Sequence, residues 1–175
     1  MACPQCHDNH DDRSSTCPGC GFSLSALAER YKRRLPDAAH VLDAAGSLTD
    51  DEEAELLGQS AALSEAGLGE LAFVILPTTA PISPAEMAFW LLNHWQLGGR
   101  DHRGVLVLVA LEERRIEIEV GYALEATLSD AAADALLEQA VVPHLQEHGV
   151  AAGLQQAATV IAHALRSAAP NPEDT

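Results

Sequence analysis

The sequence predicts an α/β domain, a mixed β-sheet between helical layers, with a small cysteine-rich knob in front of it. Three observations predict this. Helix starts alternate with strand-length apolar runs between residues 41 and 168. An apolar run over 105–111 is followed, after the charged turn Glu112-Glu113-Arg114, by the strict alternation Arg115-Ile116-Glu117-Ile118-Glu119-Val120, and strands joined by so short a turn must be antiparallel. All four cysteines sit in two C-x-x-C pairs within the first 20 residues.

The knob comes first, over residues 1–21. Cys3/Cys6 and Cys17/Cys20 each form a tight turn presenting two thiolates, and four thiolates satisfy tetrahedral Zn²⁺. Disulfides are disfavoured in a reducing compartment, and a redox C-x-x-C belongs at a strand–helix junction. With four protein thiolates the metal has no open position, so its expected role is structural and its binding supplies the knob's folding energy. His7 and His10 are the spare candidate ligands. Residues 22–40 read as a connector with a helical stretch ending at Pro36. Its Glu29–Arg34 cluster, ERYKRR, is the chain's basic patch, read as a solvated helix face.

In the main domain, residues 41–43 read as a short extended entry. Thr49-Asp50-Asp51-Glu52 is a capping box opening a helix to about Glu65, closed by Gly67. Residues 70–76 form a strand ending at Pro77. Ser83-Pro84-Ala85-Glu86 starts a second helix, with cap, Pro at the first position and Glu at the third, that stops at Gly98-Gly99. The 105–111 run reads as a central strand buried on both faces, and 115–120 as a strand with one buried and one wet face. Ser129-Asp130 opens a long helix that Pro143 must break or kink. A last helix carries the stripe Val150, Leu154, Ala157, Ile161 and Leu165. Residues 169–175 are expected to be a disordered tail.

The chain's 175 residues fit one domain plus an appendage, and 47% apolar residues suffice for a core. The formal charge is −16, and beyond residue 35 there are 22 acids against five bases. That balance argues against a broad nucleic-acid or anionic-membrane surface. It suits a solvated surface or, more sharply, cation binding. The apolar runs fall far short of the ~20 residues that span a bilayer, and no signal peptide is visible. The expectation is a soluble, cytoplasmic protein with no membrane span.

Three carboxylates stand at positions where α/β proteins gather ligands: Asp43 after the first extended segment, Glu125 beyond the 115–120 strand, and Asp130 at a helix start. Converging, they could hold Ca²⁺ or Mg²⁺. Separately, Asp43 turns the chain, Glu125 faces water and Asp130 complements a helix dipole. The loop Gly98–Gly104, GGRDHRG, is the other candidate. Arg100 and Arg103 could contact phosphate, Asp101 could join the cation and His102 could act as general acid; otherwise it is a polar loop. His94 reads as a packed or boundary histidine rather than a catalyst. No G-x-S-x-G elbow, Walker loop or G-x-G-x-x-G is present, which excludes those nucleophile and nucleotide sites.

The ordered series HVLDAAGSLTDDEEAEL, LAFVILP, NHWQLGG, RGVLVLVALEERRIEIEVGYALEATLSD and VVPHL resembles the TPM-domain family over roughly residues 40–166. That family includes thylakoid acid-phosphatase-like proteins and many bacterial proteins. The resemblance implies a Rossmann-like αβα sandwich and a divalent-cation site whose acidic cluster aligns with Asp43, Glu125 and Asp130. Ala123 stands where the family's GYGLE motif has Gly. The zinc ribbon replaces the family's usual signal peptide and anchor, which points away from envelope or thylakoid roles. Two functions follow. One is a protein-interaction or assembly module docking a protein partner through the zinc ribbon. The other is a weak divalent-cation-dependent acid phosphatase, with Arg100 or Arg103 on the phosphoryl oxygens. A nucleic-acid-binding ribbon is a third, weaker option.

Overall fold

The computed structural model describes residues 2–9, 15–31 and 40–167. His10, Lys32, Arg33, Arg34, Pro36 and the tail lie outside them. The knob leads into helix α1 (Leu24–Arg30). The main domain then runs β1 (His40–Asp43), α2 (Asp50–Glu65), β2 (Glu70–Leu76), α3 (Pro84–His94), β3 (Gly104–Ala110) and β4 (Arg115–Val120). It closes with α4 (Asp130–Leu136), α5 (Val142–His148) and α6 (Val150–Ser167).

Both expected capping boxes form. Thr49 accepts from the Glu52 amide while the Glu52 carboxylate accepts from the Thr49 amide, and Ser83 and Glu86 repeat the exchange with Pro84 in the first turn. Each satisfies orphan donors at a helix start. The proline expectation is met differently. A π-helical turn, Leu137–Val141, separates α4 from α5, and Pro143 then sits in the first turn of α5. There its missing N–H costs least.

The sheet order is β1-β2-β3-β4, with β1, β2 and β3 parallel and β4 antiparallel to β3. Alternate residues of β2 and β3 enter two cores. Phe73, Ile75, Val105 and Val107 point to the layer of α2 and α4–α6, whereas Ala72, Val74, Leu106 and Leu108 point to α3. The result is the expected α/β sandwich with a mixed sheet. Because β1, β2 and β3 lie in spatial order while α2 and α3 cover opposite faces, the two crossovers have opposite hands. One therefore departs from the right-handed rule.

One face differs from the sequence reading. Glu117 and Glu119 pair across the sheet with Leu108 and Leu106, and α3 packs against β4 on that side. The supposed wet face of β4 is thus half-buried. The connector is not free either. Tyr31 is buried in the α3 core, Phe22 and Leu27 pack against it, and the Trp95 indole N–H donates to the Tyr31 carbonyl at 2.8 Å. Among the described residues no helix is long and apolar enough to cross a membrane.

Candidate metal centre

The knob is two copies of one turn. In the first, the Cys3 amide donates to the Asp8 carbonyl and the His7 amide to the Cys3 carbonyl; in the second, Cys17 donates to Phe22 and Gly21 to Cys17. The fourth residue after the leading cysteine is left-handed in both, His7 at φ 61° and Gly21 at φ 79°. Each turn folds two sulfurs to one point. The cysteines are free thiols.

The sulfurs of Cys3, Cys6, Cys17 and Cys20 all lie within 4.8 Å of one another. Cys3–Cys20 and Cys6–Cys17 are each 3.6 Å apart. That is far too long for disulfides, at about 2.05 Å. It is close to the ~3.8 Å edge of a tetrahedron with metal–sulfur bonds of about 2.3 Å. The cluster therefore fits a metal ion such as zinc. Two cysteines, Cys3 and Cys17, are buried.

The thiols also show why a cation belongs there. Desolvation opposes ionisation of Cys3, yet the amides of Cys6 and Gln5 and the sulfurs of Cys20 and Cys17 bring it down to about 7. At Cys6 the Asp8 backbone favours the thiolate, but desolvation and the other three sulfurs prevail and push it up to about 12. Cys17 is lowered, chiefly by the Cys20 backbone; Cys20 is raised, since desolvation and the Cys3 and Cys17 sulfurs outweigh the favourable Phe22 backbone. Four adjacent thiolates need a positive charge between them, so metal uptake must release protons and weaken as pH falls.

His7 is not among the clustered ligands. It occupies a left-handed position that the second turn gives to glycine, at a cost of about 1 kcal/mol for a side chain. His7→Gly should leave metal affinity at pH 7 equal or slightly tighter, as read by chelator competition; a loss of tenfold or more would make His7 a ligand.

The three acidic candidates do not come together. β4 is antiparallel, so its end returns to the edge where the parallel strands begin: Val120 pairs with Val105, while Asp43 pairs with Ile75 at the far edge. Asp43 spends its carboxylate on its own turn, accepting from the Ala45 amide at 3.0 Å and the Leu48 amide at 2.7 Å. Glu125 follows the short helix Tyr122–Leu124, and Asp130 begins α4 behind its Ser129 cap. Both lie within electrostatic reach of Glu119, on the face of β4 that the alternation assigns to water. Burial, then the charges of Asp130, Glu117 and Glu125, hold the Glu119 carboxyl above the usual carboxylate range. Among the described residues only the cysteines bring three ligand atoms within 4.8 Å.

The glycine-rich loop lies at the same edge. The Ala123 amide donates to the His102 carbonyl, and Gly121 to Gly104. Arg100 and His102 line an open cavity of about 510 Å³ with Asn93, Gln96 and Leu97. Arg103 turns inward instead, donating to the Leu68 carbonyl at 3.1 Å. His94 stacks on Trp90 with ring centroids 4.7 Å apart, on the exposed side of α3.

The TPM domain model matches residues 41–164. Among solved structures, the N-terminal domain of a protein from P. gingivalis is 26% identical, with a TM-score of 0.66 over 73% of this chain and 82% of that one. The BA42 protein of the psychrophilic bacterium Bizionia argentinensis aligns at 20% identity and TM-score 0.60, covering 76% and 92% of the two chains. The N-terminal domain of the cg2496 protein from Corynebacterium glutamicum gives 16% and 0.62, covering 81% and 89%. The last two likenesses show the fold alone. No curated protein matches. The match over 41–164 covers well over half the chain, and with the fold around it, the chain belongs to the TPM-domain family.

Proposed function

We propose that the protein is an interaction or assembly module in which a zinc ribbon is held against a TPM domain to present a surface to a protein partner. The observation that carries this reading is the attachment of the knob. Tyr31 is buried in the domain's α3 core, and the same helical layer exposes Leu24 on α1 and Phe89 on α3, at 50% and 59%. Exposed aromatic and aliphatic side chains on a fixed scaffold are what partner pockets use as anchors. The free thiols suit a reducing compartment such as the cytoplasm. The test is capture of partners by the intact chain, Cys17→Ser and Phe89→Glu, followed by binding of the isolated partner to each. One partner lost by both variants supports the reading; a partner retained by both removes the knob and its layer from the interface.

A second reading, a weak divalent-cation-dependent phosphomonoesterase, is favoured by the Glu119 environment. Burial and the charges of Asp130, Glu117 and Glu125 all disfavour the ionised Glu119 carboxyl, and Arg100 and His102 line a cavity at the same edge of the sheet. A hard cation there would relieve the repulsion and supply Lewis-acid polarisation of a phosphoryl oxygen. Arg100 would hold the other oxygens, while Asp43 and Arg103 are committed elsewhere. A carboxyl whose folded-state pKa is raised costs stability as pH rises through its unfolded and folded values. Glu119→Gln should therefore raise the melting midpoint at neutral pH, with no gain at pH 3. Millimolar Ca²⁺ or Mg²⁺ should raise the midpoint of the parent and not of the variant, and aryl phosphate hydrolysis should follow the same cation. Equal effects on both proteins would remove Glu119 from the site.

A further inference from the structure

We infer that a second cavity, at the opposite edge of the sheet, is a binding site for a small apolar carboxylate, such as a short acyl or aryl acid. The cavity holds about 200 Å³ and lies where β3 ends, between β4 and the helices α5 and α6. Its walls are Val109 and Ile116 from the sheet, Val142 and Leu145 from α5, and Val150 from α6. Four of these, all except Val109, remain only partly buried, so apolar surface is left uncovered where a core would normally close.

Its rim has the opposite character. Arg114 and Arg115 line it, two of only five bases beyond residue 35 in a region with 22 acids. The Arg115 guanidinium turns to Glu117 at 3.4 Å on the α3 side of β4, which leaves Arg114 as the cation at the cavity. Arg114 has no ion pair among the described residues. Its backbone is left-handed, at φ 52°, where Gly or Asn would sit with less strain. The hairpin thus keeps an arginine in a position whose backbone disfavours it, and that arginine faces the cavity.

The place also lies outside the carboxyl end of β3, a parallel strand, the side on which open α/β sheets take ligands. The wall residue Val142 directly follows the π-helical turn Leu137–Val141, a distortion often found at functional sites. The size sets the ligand. At roughly 30 Å³ per water the cavity has room for about six, which is one ring or a short alkyl chain, below the ~300 Å³ of drug-sized pockets. An apolar body in the cavity places a carboxylate at the guanidinium rim, where Arg binds it through paired hydrogen bonds. This site is on the sheet face opposite the knob and does not depend on the function proposed above.

The probe is octanoate, titrated into ¹⁵N-labelled full-length protein beside octanol and inorganic phosphate. Octanoate should shift the amides of Val109, Leu111, Val142 and Val150, and bind at least tenfold more tightly than octanol. Arg114→Asn, which suits the left-handed position, should remove that preference while leaving the rest of the spectrum in place. Val142→Phe should fill the cavity and abolish octanoate shifts with Arg114 intact. Equal binding of octanol and octanoate would overturn the inference, as would shifts confined to other regions or absent altogether. Phosphate matching octanoate at the same amides would also overturn it, since the apolar walls would then contribute nothing.

Discussion

Cys17→Ser will cost the protein its metal and release the knob, while the sheet stays folded. The three remaining thiols cannot close a tetrahedral site, and in comparable zinc peptides metal binding supplies about 10–16 kcal/mol of apparent folding free energy. Residues 2–9 and 15–21 have no other core, since the buried side chains there are Cys3 and Cys17. Hydrogen exchange should show their amides losing protection. The main domain keeps both of its own cores, but loses Tyr31 from the α3 layer and the bond from the Trp95 indole to the Tyr31 carbonyl. A fall of a few degrees in its melting midpoint is expected. Collapse of the whole spectrum would mean that knob and domain fold as one unit. Unchanged protection in residues 2–31 would mean that the metal does not organise the knob.

The second large effect is Gly98→Ala. A Cβ there would stand 2.2 Å from the Gly104 amide nitrogen and 2.3 Å from the Arg103 carbonyl carbon, both backbone atoms that cannot rotate aside. The residue is also left-handed, at φ 81°. Its amide donates to the Glu70 carboxylate at 2.6 Å, whose other oxygen lies 3.1 Å from the buried His40 ring. Substitution therefore forces the loop off the start of β3 and pulls on that link. Left-handed strain of 1–2 kcal/mol and overpacking of 1–3 kcal/mol give about 3 kcal/mol together, or roughly 10 °C in melting midpoint. Gly99→Ala is the internal control. It shares the left-handed backbone, at φ 59°, but nothing lies within 4 Å of its Cβ position. Its cost should be about 1 kcal/mol. Equal effects of the two substitutions, measured by chemical denaturation, would show that crowding at Gly98 is not decisive.

Local signals in this chain were legible and long-range ones were not. C-x-x-C turns, capping boxes and a two-strand hairpin are written within a few residues of each other. The sequence therefore places Cys3, Thr49, Ser83 and the reversal at residues 112–114 correctly. The acidic site needed one more step. An antiparallel β4 necessarily carries Glu125 and Asp130 back to the edge away from Asp43, a consequence of the hairpin that periodicity alone does not display. The alternation in β4 likewise separates two faces without saying that α3 covers the second, so Glu119 read as solvated. Arg100 and Arg103 are three residues apart in a polar loop, and only packing decides that one lines a cavity while the other braces the Leu68 carbonyl.

The proposed module requires a metal, held by four cysteines, to fix the knob onto the TPM domain. The most direct measurement follows the Trp95 indole N–H of the full, metal-loaded chain by NMR during removal of the metal with a chelator. This signal is expected to shift together with the loss of the ordered resonances of residues 2–9 and 15–31, while the resonances of β2 and β3 stay in place. A Trp95 indole signal and knob resonances that ignore metal removal would contradict it.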